Sequence, residues 1–400
     1  MSKILYLTTR MPYPAIGGDR LRMYNILVQL KKLGHEIFVV SLFTQDDNLE
    51  LAKEHSEFYT KLIPVEFDKK IAYLNAIKAV FNDKPFIVEY FYSKKMQKIV
   101  DRLIKEEKFD IITGYMIRIA PYLDKHKGKN IIIDFVDAVS MMYERRVKNV
   151  HSLWDKFKIG IEYLKVKNYE KKCTELFKCQ TVISNFDKNY IEVFAPNSNI
   201  HVVGNGVDTE YFTPIDSEKY NNICFVGSMQ YIPNSQAAMY FANDVFPLIK
   251  NEIPDAKFKI IGANPRQELF EATKNVEGIE ITGKVDDVRE YMKDCAVSVC
   301  PVHIAGGVQN KILEAMSFGI PVVTTPEGAE GIEANGDILI VAKNNDDYAK
   351  KVIDLIKNKE KQNVIGKKSR EYIIGNFSWE KTAIRMNDLI KALLNMKKEG

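Results

Sequence analysis

Ala296-Val297-Ser298-Val299-Cys300 is followed by His303-Ile304-Ala305-Gly306-Gly307-Val308-Gln309-Asn310-Lys311-Ile312-Leu313-Glu314-Ala315-Met316 and then by Gly319-Ile320-Pro321-Val322-Val323-Thr324. An apolar run, a paired-glycine loop, a helical pattern and a second β-branched run make one βαβ unit of a parallel sheet. Backbone amides beyond such a loop, at the start of a helix, can hold a diphosphate at the carboxyl ends of the strands. Asn310, Lys311 and Glu314 fall within one helical turn. Lys311 suits the charge of a leaving group, and Glu314 can accept hydrogen bonds from ribose hydroxyls.

The same alternation extends through the chain. Lys3–Thr9, Glu36–Phe43, Leu62–Phe67, Asp110–Thr113, Asn130–Phe135 and Gln180–Ile183 read as strands, with helical patterns such as Arg20–Leu33 between them. Leu153–Phe177 reads as one or two long helices, broken at most by Gly160. The pattern restarts with strands at Asn222–Val226, Lys257–Ile261, Ile279–Thr282, Ala296–Cys300, Pro321–Thr324 and Ile338–Val341. Gly204-Asn205-Gly206 stands between the two series, so the chain reads as two Rossmann-like α/β domains facing a cleft. The expected divisions are 1–200, 201–378 and a C-terminal segment 379–400. Within that segment Trp379–Met396 is an amphipathic helix that braces back to the first domain.

The 400 residues are 46% hydrophobic and 28% charged, which excludes fibrous and extensively disordered classes. The formal charge of +4 hides an asymmetry: residues 1–200 carry 33 Lys and Arg against 25 Asp and Glu, while the remainder carry 24 against 28. A basic first half fits an anionic membrane surface or a phosphorylated acceptor, or equally a scatter of solvated lysines. The run Ser93–Lys108 sets Lys94, Lys95, Lys98, Arg102 and Lys105 beside an apolar stripe, which could face lipid or the protein core. No apolar stretch is long enough to span a bilayer, and Met1-Ser2-Lys3 does not lead into a signal-peptide core. Five cysteines without Cys-x-x-Cys spacing point to reduced thiols. The expectation is a cytoplasmic protein, peripheral at the inner membrane face, with no nucleic-acid partner.

Several chemistries drop out. There is no Gly-x-Gly-x-x-Gly fingerprint, no Gly-x-Ser-x-Gly elbow and no His-Glu-x-x-His. Asp-x-Asp is also absent, which favours a mechanism needing no metal and no cofactor. Two positive features lie in the first half. Pro14-Ala15-Ile16-Gly17-Gly18-Asp19-Arg20 follows the first strand, so Gly17, Gly18, Arg20 and Arg22 can meet a phosphate or carboxylate at a helix start, or form an ordinary glycine turn. Asp137 follows the Asn130–Phe135 strand and can orient an acceptor or sugar, or simply cap the segment after it.

The run Gly307–Thr324, with Leu-Glu-Ala-Met-x-x-Gly-x-Pro-Val-Val intact, resembles the donor-binding signature of family 4 glycosyltransferases, which have the GT-B fold. Gly204-Asn205-Gly206-Val207-Asp208 is similar to that family's entry to the second domain. Phe225-Val226-Gly227-Ser228-Met229 resembles its glycine turn, Gly283-Lys284-Val285-Asp286-Asp287 its base-contacting loop, and Phe377-Ser378-Trp379 the start of its C-terminal helix. The resemblance implies a retaining transfer of sugar from a UDP- or GDP-sugar to a glycan or lipid-linked acceptor, in the manner of exopolysaccharide or lipopolysaccharide transferases. It implies donor contacts from Gly17, Gly18, Arg20, Gly227, Ser228, Val285, Gly306, Gly307, Asn310, Lys311 and Glu314, with Lys311 and Asp137 nearest the chemistry. Three positions depart from the family pattern. Gly306 stands where a glutamate usually precedes Glu314, Ser228 to Asn234 lacks the usual Arg and Lys, and Val136-Asp137 replaces a histidine. A nucleotide-sugar-binding protein without transferase activity, or a sugar-nucleotide 2-epimerase, are the rival readings.

Overall fold

The computed structural model describes residues 1–395 apart from 46, 151, 304–306 and 335. The described chain forms two units, 1–204 with the segment from 379 onward, and 205–378.

In the first unit seven parallel strands run β1 Lys3–Thr8, β2 Glu36–Phe43, β3 Lys61–Glu66, β4 Ile111–Tyr115, β5 Ile131–Val136, β6 Cys179–Val182 and β7 Ile200–Val202. Their order is β3-β2-β1-β4-β5-β6-β7. β4 and β5 are buried along their whole length, as both faces of a helix-covered parallel sheet must be. β1 adjoins both β2 and β4, with Leu7 opposite Gly114, so the order reverses at β1 and β4 and their carboxyl ends form the crevice where such sheets bind ligands. Helix Trp379–Asn395 packs on helix Gly18–Lys32 of the same unit, and Asn387 Oδ1 lies 2.9 Å from His35 Nε2. The sequence shows this segment as a separate brace; its buried stripe, including Met386 and Ile390, is part of the first unit's packing.

The second unit holds β8 Tyr220–Val226, β9 Lys257–Ile261, β10 Ile279–Gly283, β11 Cys295–Cys300, β12 Val322–Thr324 and β13 Ile340–Val341, in the order β10-β9-β8-β11-β12-β13. Its switch point lies between β8 and β11, where Ser298 pairs with Cys224. All five cysteines are buried and free.

The structure decides between two pairs of open readings. Leu153–Leu176 is one uninterrupted helix, so Gly160 does not break it. The apolar stripe of Ser93–Lys108 is core: Met96, Val100, Leu103 and Ile104 of helix Lys94–Glu106 join the cluster around Leu5, Val40 and Ile112. Burying four such side chains outweighs any gain from facing lipid, which leaves the charged residues of that helix, its lysines with Arg102 and Glu106, in water.

Candidate functional site

In the second unit the β8 strand ends in a tight turn. Gly227 N–H donates to Ile261 O at 3.0 Å, and Met229 N–H to Ala263 O at 2.9 Å. The turns after β8 and β9 approach so closely that a Cβ on Gly262, whose φ is +152°, would lie 1.8 Å from Gly227 O. A Cβ on Gly227 would come within 2.8 Å of Asn234 Nδ2 and 3.5 Å of Lys311 Cε. Gly227, Asn234 and Lys311 therefore meet at the carboxyl end of β8, and a side chain in place of the glycine hydrogen would close the space between them. Asn234 is buried and donates to Ser228 O at 3.0 Å, fixing the turn. Ser228 itself is exposed.

Lys311 opens helix Asn310–Ser317, which has no side-chain cap and no acidic residue in its first turn. No side chain caps the Asn310 and Lys311 N–H groups, while Ile312 N–H turns back to Gln309 O at 2.9 Å; Lys311 Nζ is held by Gln309 Oε1 at 3.0 Å and lies 5.8 Å from the Phe225 ring centroid. Gly307, buried at φ +57°, brings the chain into this helix. Glu314, one turn on, is half-buried; burial pushes its carboxyl up to about 7, against the pull of Lys311. Asn310 is engaged elsewhere, accepting from Asn205 Nδ2 at 3.1 Å. Val285 is half-buried just after Gly283, and Asp287 caps the next helix through Arg289 N–H at 2.9 Å. Paired with Arg289, whose guanidinium stacks 3.9 Å from the Tyr211 ring centroid, Asp287 is lowered to about 2. Gly306 lies outside the described residues.

In the first unit Gly17, at φ +93°, and Gly18 are exposed at the start of helix Gly18–Lys32. Arg20 pairs with Asp47 at 2.6 Å, and Asp19 with Arg10 at 2.9 Å. Arg22 is not at the loop at all. It is fully buried, pairs with Asp134 at 3.1 Å, and donates to Val203 O and Gly204 O at 2.8 Å each. A buried guanidinium needs a counterion and acceptors, and β5 and the chain after β7 supply them. Sequence spacing could not show this, because Asp134 alternates with apolar residues as a core position does.

The carboxyl ends of β4 and β5 carry backbone strain. Met116 and Val136 have φ of +68° and +70°, a region costing about 1–3 kcal/mol for a non-glycine residue. Val136 aims the next residue, Asp137, inward, where its Oδ1 is buried without a hydrogen-bond partner. Burial, and then the nearby Asp187 carboxylate, push Asp137 up to about 7. Asp187 accepts from Ala138 N–H at 2.9 Å and is held by Ser184. Glu170, accepting from Ser140 N–H at 3.1 Å, is raised to about 7 by burial. Asp187 and Glu170 are the residues that sequence reading misses, since each lies in an ordinary amphipathic helix. Among the described residues no three His, Cys, Asp or Glu side chains converge as a metal site.

Residues 220–358, which include this turn, the Lys311 helix and both flanking strands, match the family described as glycosyl transferases group 1. Residues 220–358 are a group 1 glycosyltransferase domain, and the chain that carries them is a glycosyltransferase. It is 26% identical to a 44.6 kDa protein of the Klebsiella pneumoniae cps region, over 90% of this chain and 92% of that one. Its fold is that of sucrose-phosphate synthase from Thermosynechococcus elongatus, at a TM-score of 0.74 and 14% identity, covering 99% of this glycosyltransferase and all of that chain. HepE of Anabaena, solved in complex with UDP-glucose, superposes at a TM-score of 0.68 and 12% identity, over 98% of this chain and 100% of that one. The expected GT-B architecture of two parallel-sheet Rossmann-like units is thus the fold of this enzyme.

Proposed function

We propose that this glycosyltransferase moves a sugar from a UDP- or GDP-sugar, with retention of anomeric configuration, to a glycan or lipid-linked acceptor in cell-surface polysaccharide synthesis. The carrying observation is the meeting of Gly227, Asn234 and Lys311 at the switch point of the second sheet, beside an uncapped helix start. In this reading the diphosphate lies against the Gly227 turn and the amides after Gly307, with Lys311 Nζ meeting its charge and Glu314 the ribose. Lys311 then takes the place of the Arg and Lys that Ser228 to Asn234 lacks.

Transfer breaks the bond from C1 to the diphosphate oxygen and forms one from the acceptor oxygen to C1 on the same face. The acceptor proton passes to the departing diphosphate. Stabilising that diphosphate is the task of Lys311 and the amides, because their interaction strengthens as charge develops. Asp137, strained into place at the end of β5, orients the acceptor or sugar hydroxyls, and Gly17 and Gly18 border the same crevice in the first unit. The absence of Asp-x-Asp favours leaving-group stabilisation without metal. The cps-region relative and the UDP-glucose complex of HepE support the polysaccharide and donor readings.

Incubation with radiolabelled UDP- and GDP-sugars and a lipid-linked acceptor extract tests the proposal. Labelled glycan or glycolipid is the expected product. Heat protection by donor without product would leave a binding protein, and conversion of the donor alone would indicate an epimerase.

A further inference from the structure

In the first unit, helix Lys69–Lys78 and the turn Ala79–Phe81 keep their large apolar side chains in water, with Ala72 and Ala79 facing the core. Ile71, Leu74, Ile77 and Val80 are each more than half exposed, and Phe81 is 85% exposed. A second such run occupies the first half of helix Leu153–Leu176, where Leu153 is 84% and Trp154 66% exposed, with Phe157 a turn further on. Lys165 of that helix donates to the carbonyls of Ala79 and Asn82, the latter at 2.6 Å, which joins the two runs. Single apolar residues on a surface need no explanation, but two joined runs that include Trp and Phe beside lysines have the composition of a membrane interface.

Helix Lys69–Lys78 borders a cavity of about 930 Å³ at the carboxyl ends of β2 and β3. Five lysines line it, Lys69, Lys70, Lys78, Lys94 and Lys95, against two carboxylates, Glu66 and Asp68. Asp68 already caps the Lys70 and Ile71 amides at 2.8 and 3.3 Å. Four of these lysines stand in the first turns of two helices, Lys69–Lys78 and Lys94–Glu106, and neither first turn holds an acidic residue. Cations are disfavoured at a helix start, so this placement opposes both macrodipoles at once. An anion in the cavity would reverse that conflict, meeting lysine charge and helix field together. Ile71 and Leu74 belong both to the cavity wall and to the exposed apolar run, so the charged hollow continues into the apolar ledge.

We propose that this cavity takes the phosphate headgroup of an acidic membrane lipid while the Ile71–Phe81 face and Trp154 sit in the leaflet. Charge complementarity selects an anionic lipid, and the continuity of cavity and ledge selects a lipid over a small soluble phosphate. The site lies wholly within the first unit and does not depend on the donor chemistry assigned to the second.

The test is co-sedimentation of the full-length chain with phosphatidylglycerol or phosphatidylcholine vesicles at low and high salt, without sugar donor, so that its failure leaves the transfer reading untouched. Binding is expected to phosphatidylglycerol alone and to weaken as salt rises. Lys94→Glu with Lys95→Glu should lower vesicle affinity at least about tenfold. Leu74→Ser with Phe81→Ser, both exposed positions, should abolish sedimentation while keeping the wild-type melting temperature, which verifies that the variant folds. Wild-type protein left in the supernatant at low salt, or bound equally to phosphatidylcholine, overturns the proposal. So does a melting-temperature rise with inorganic phosphate that Lys94→Glu with Lys95→Glu removes, in the absence of vesicle binding, which would mark the hollow as a site for a soluble phosphate.

Discussion

Replacing Glu314 with Gln is expected to stabilise the second unit at alkaline pH while weakening nucleotide binding. Burial on the Lys311 helix raises the Glu314 carboxyl from 4.5 to about 7. With the folded value above the unfolded one, the native chain holds the extra proton between them, so stability falls as pH rises from about 4.5 through 7 and stays lower beyond. That difference is worth about 3 kcal/mol at full ionisation, taking about 1.36 kcal/mol per unit. Gln removes the ionisation and keeps the shape. For a unit of this size, about 2–4 °C per kcal/mol, the variant should melt roughly 6–12 °C above wild type at pH 8. Near pH 5 the gap should shrink towards zero. Differential scanning calorimetry across that range measures it, with UDP titrated at each pH. If Glu314 accepts from ribose hydroxyls, wild-type affinity should tighten as pH climbs through 7, and the Gln variant should lose that slope. A melting gap of the same size at pH 5 and pH 8 would refute the assignment of a buried, proton-holding carboxyl.

Lys311→Ala should fold normally yet lose roughly tenfold to hundredfold in transfer rate, the size of one charge-assisted contact of about 1.5–3 kcal/mol; wild-type turnover would contradict the diphosphate site. Arg22→Met should cost about 3–5 kcal/mol in urea unfolding by leaving the Asp134 carboxylate buried without its counterion, and Asp134→Leu added to it should recover much of that loss. Transfer should persist in EDTA, and loss rescued by magnesium or manganese would show that metal, not Lys311, meets the leaving group. Asp137→Asn should leave donor affinity unchanged and lower the transfer rate, as read by isothermal titration beside a rate assay; equal loss in both would move Asp137 to the donor.

Much of the fold is plain in the sequence because parallel strands buried on both faces read as apolar runs. Lys3–Thr8, Glu36–Phe43 and Cys295–Cys300 fall within a residue of their expected limits. Ile200–Val202 does not stand out, since a three-residue edge strand with an exposed His201 has no pattern to show. Helix Lys359–Asn376 is equally quiet: it is strongly polar and carries Gly366 and Gly375, and it holds its place through tertiary contacts such as Ser369 Oγ to Ile338 O at 2.6 Å. In the site, Lys311 and Gly227 can be named from local motifs, whereas their meeting depends on β8 lying beside β11, which no local pattern specifies. Asp187 and Glu170 stay hidden for the same reason, because their partners Ala138 and Ser140 lie 49 and 30 residues away.

A residue that breaks a local rule directs attention to a ligand only when the fold does not itself restore the balance. Arg22 breaks the rule that cations avoid helix starts, and from sequence it points to a bound anion. In the folded chain Asp134 and the carbonyls of Val203 and Gly204 meet that charge, so Arg22 holds β5 to the end of the first unit and has no ligand to explain. Arg20 is likewise balanced by Asp47. Lys94 and Lys95 break the same rule beside an open cavity, with three further lysines on its walls. Asp137 breaks another, as a carboxyl oxygen buried without a partner after a strained Val136. Internal compensation accounts for the Arg22 charge within the fold, whereas the roles proposed for the lysine cavity and for Asp137 are what the vesicle assay and the Asp137→Asn titration test.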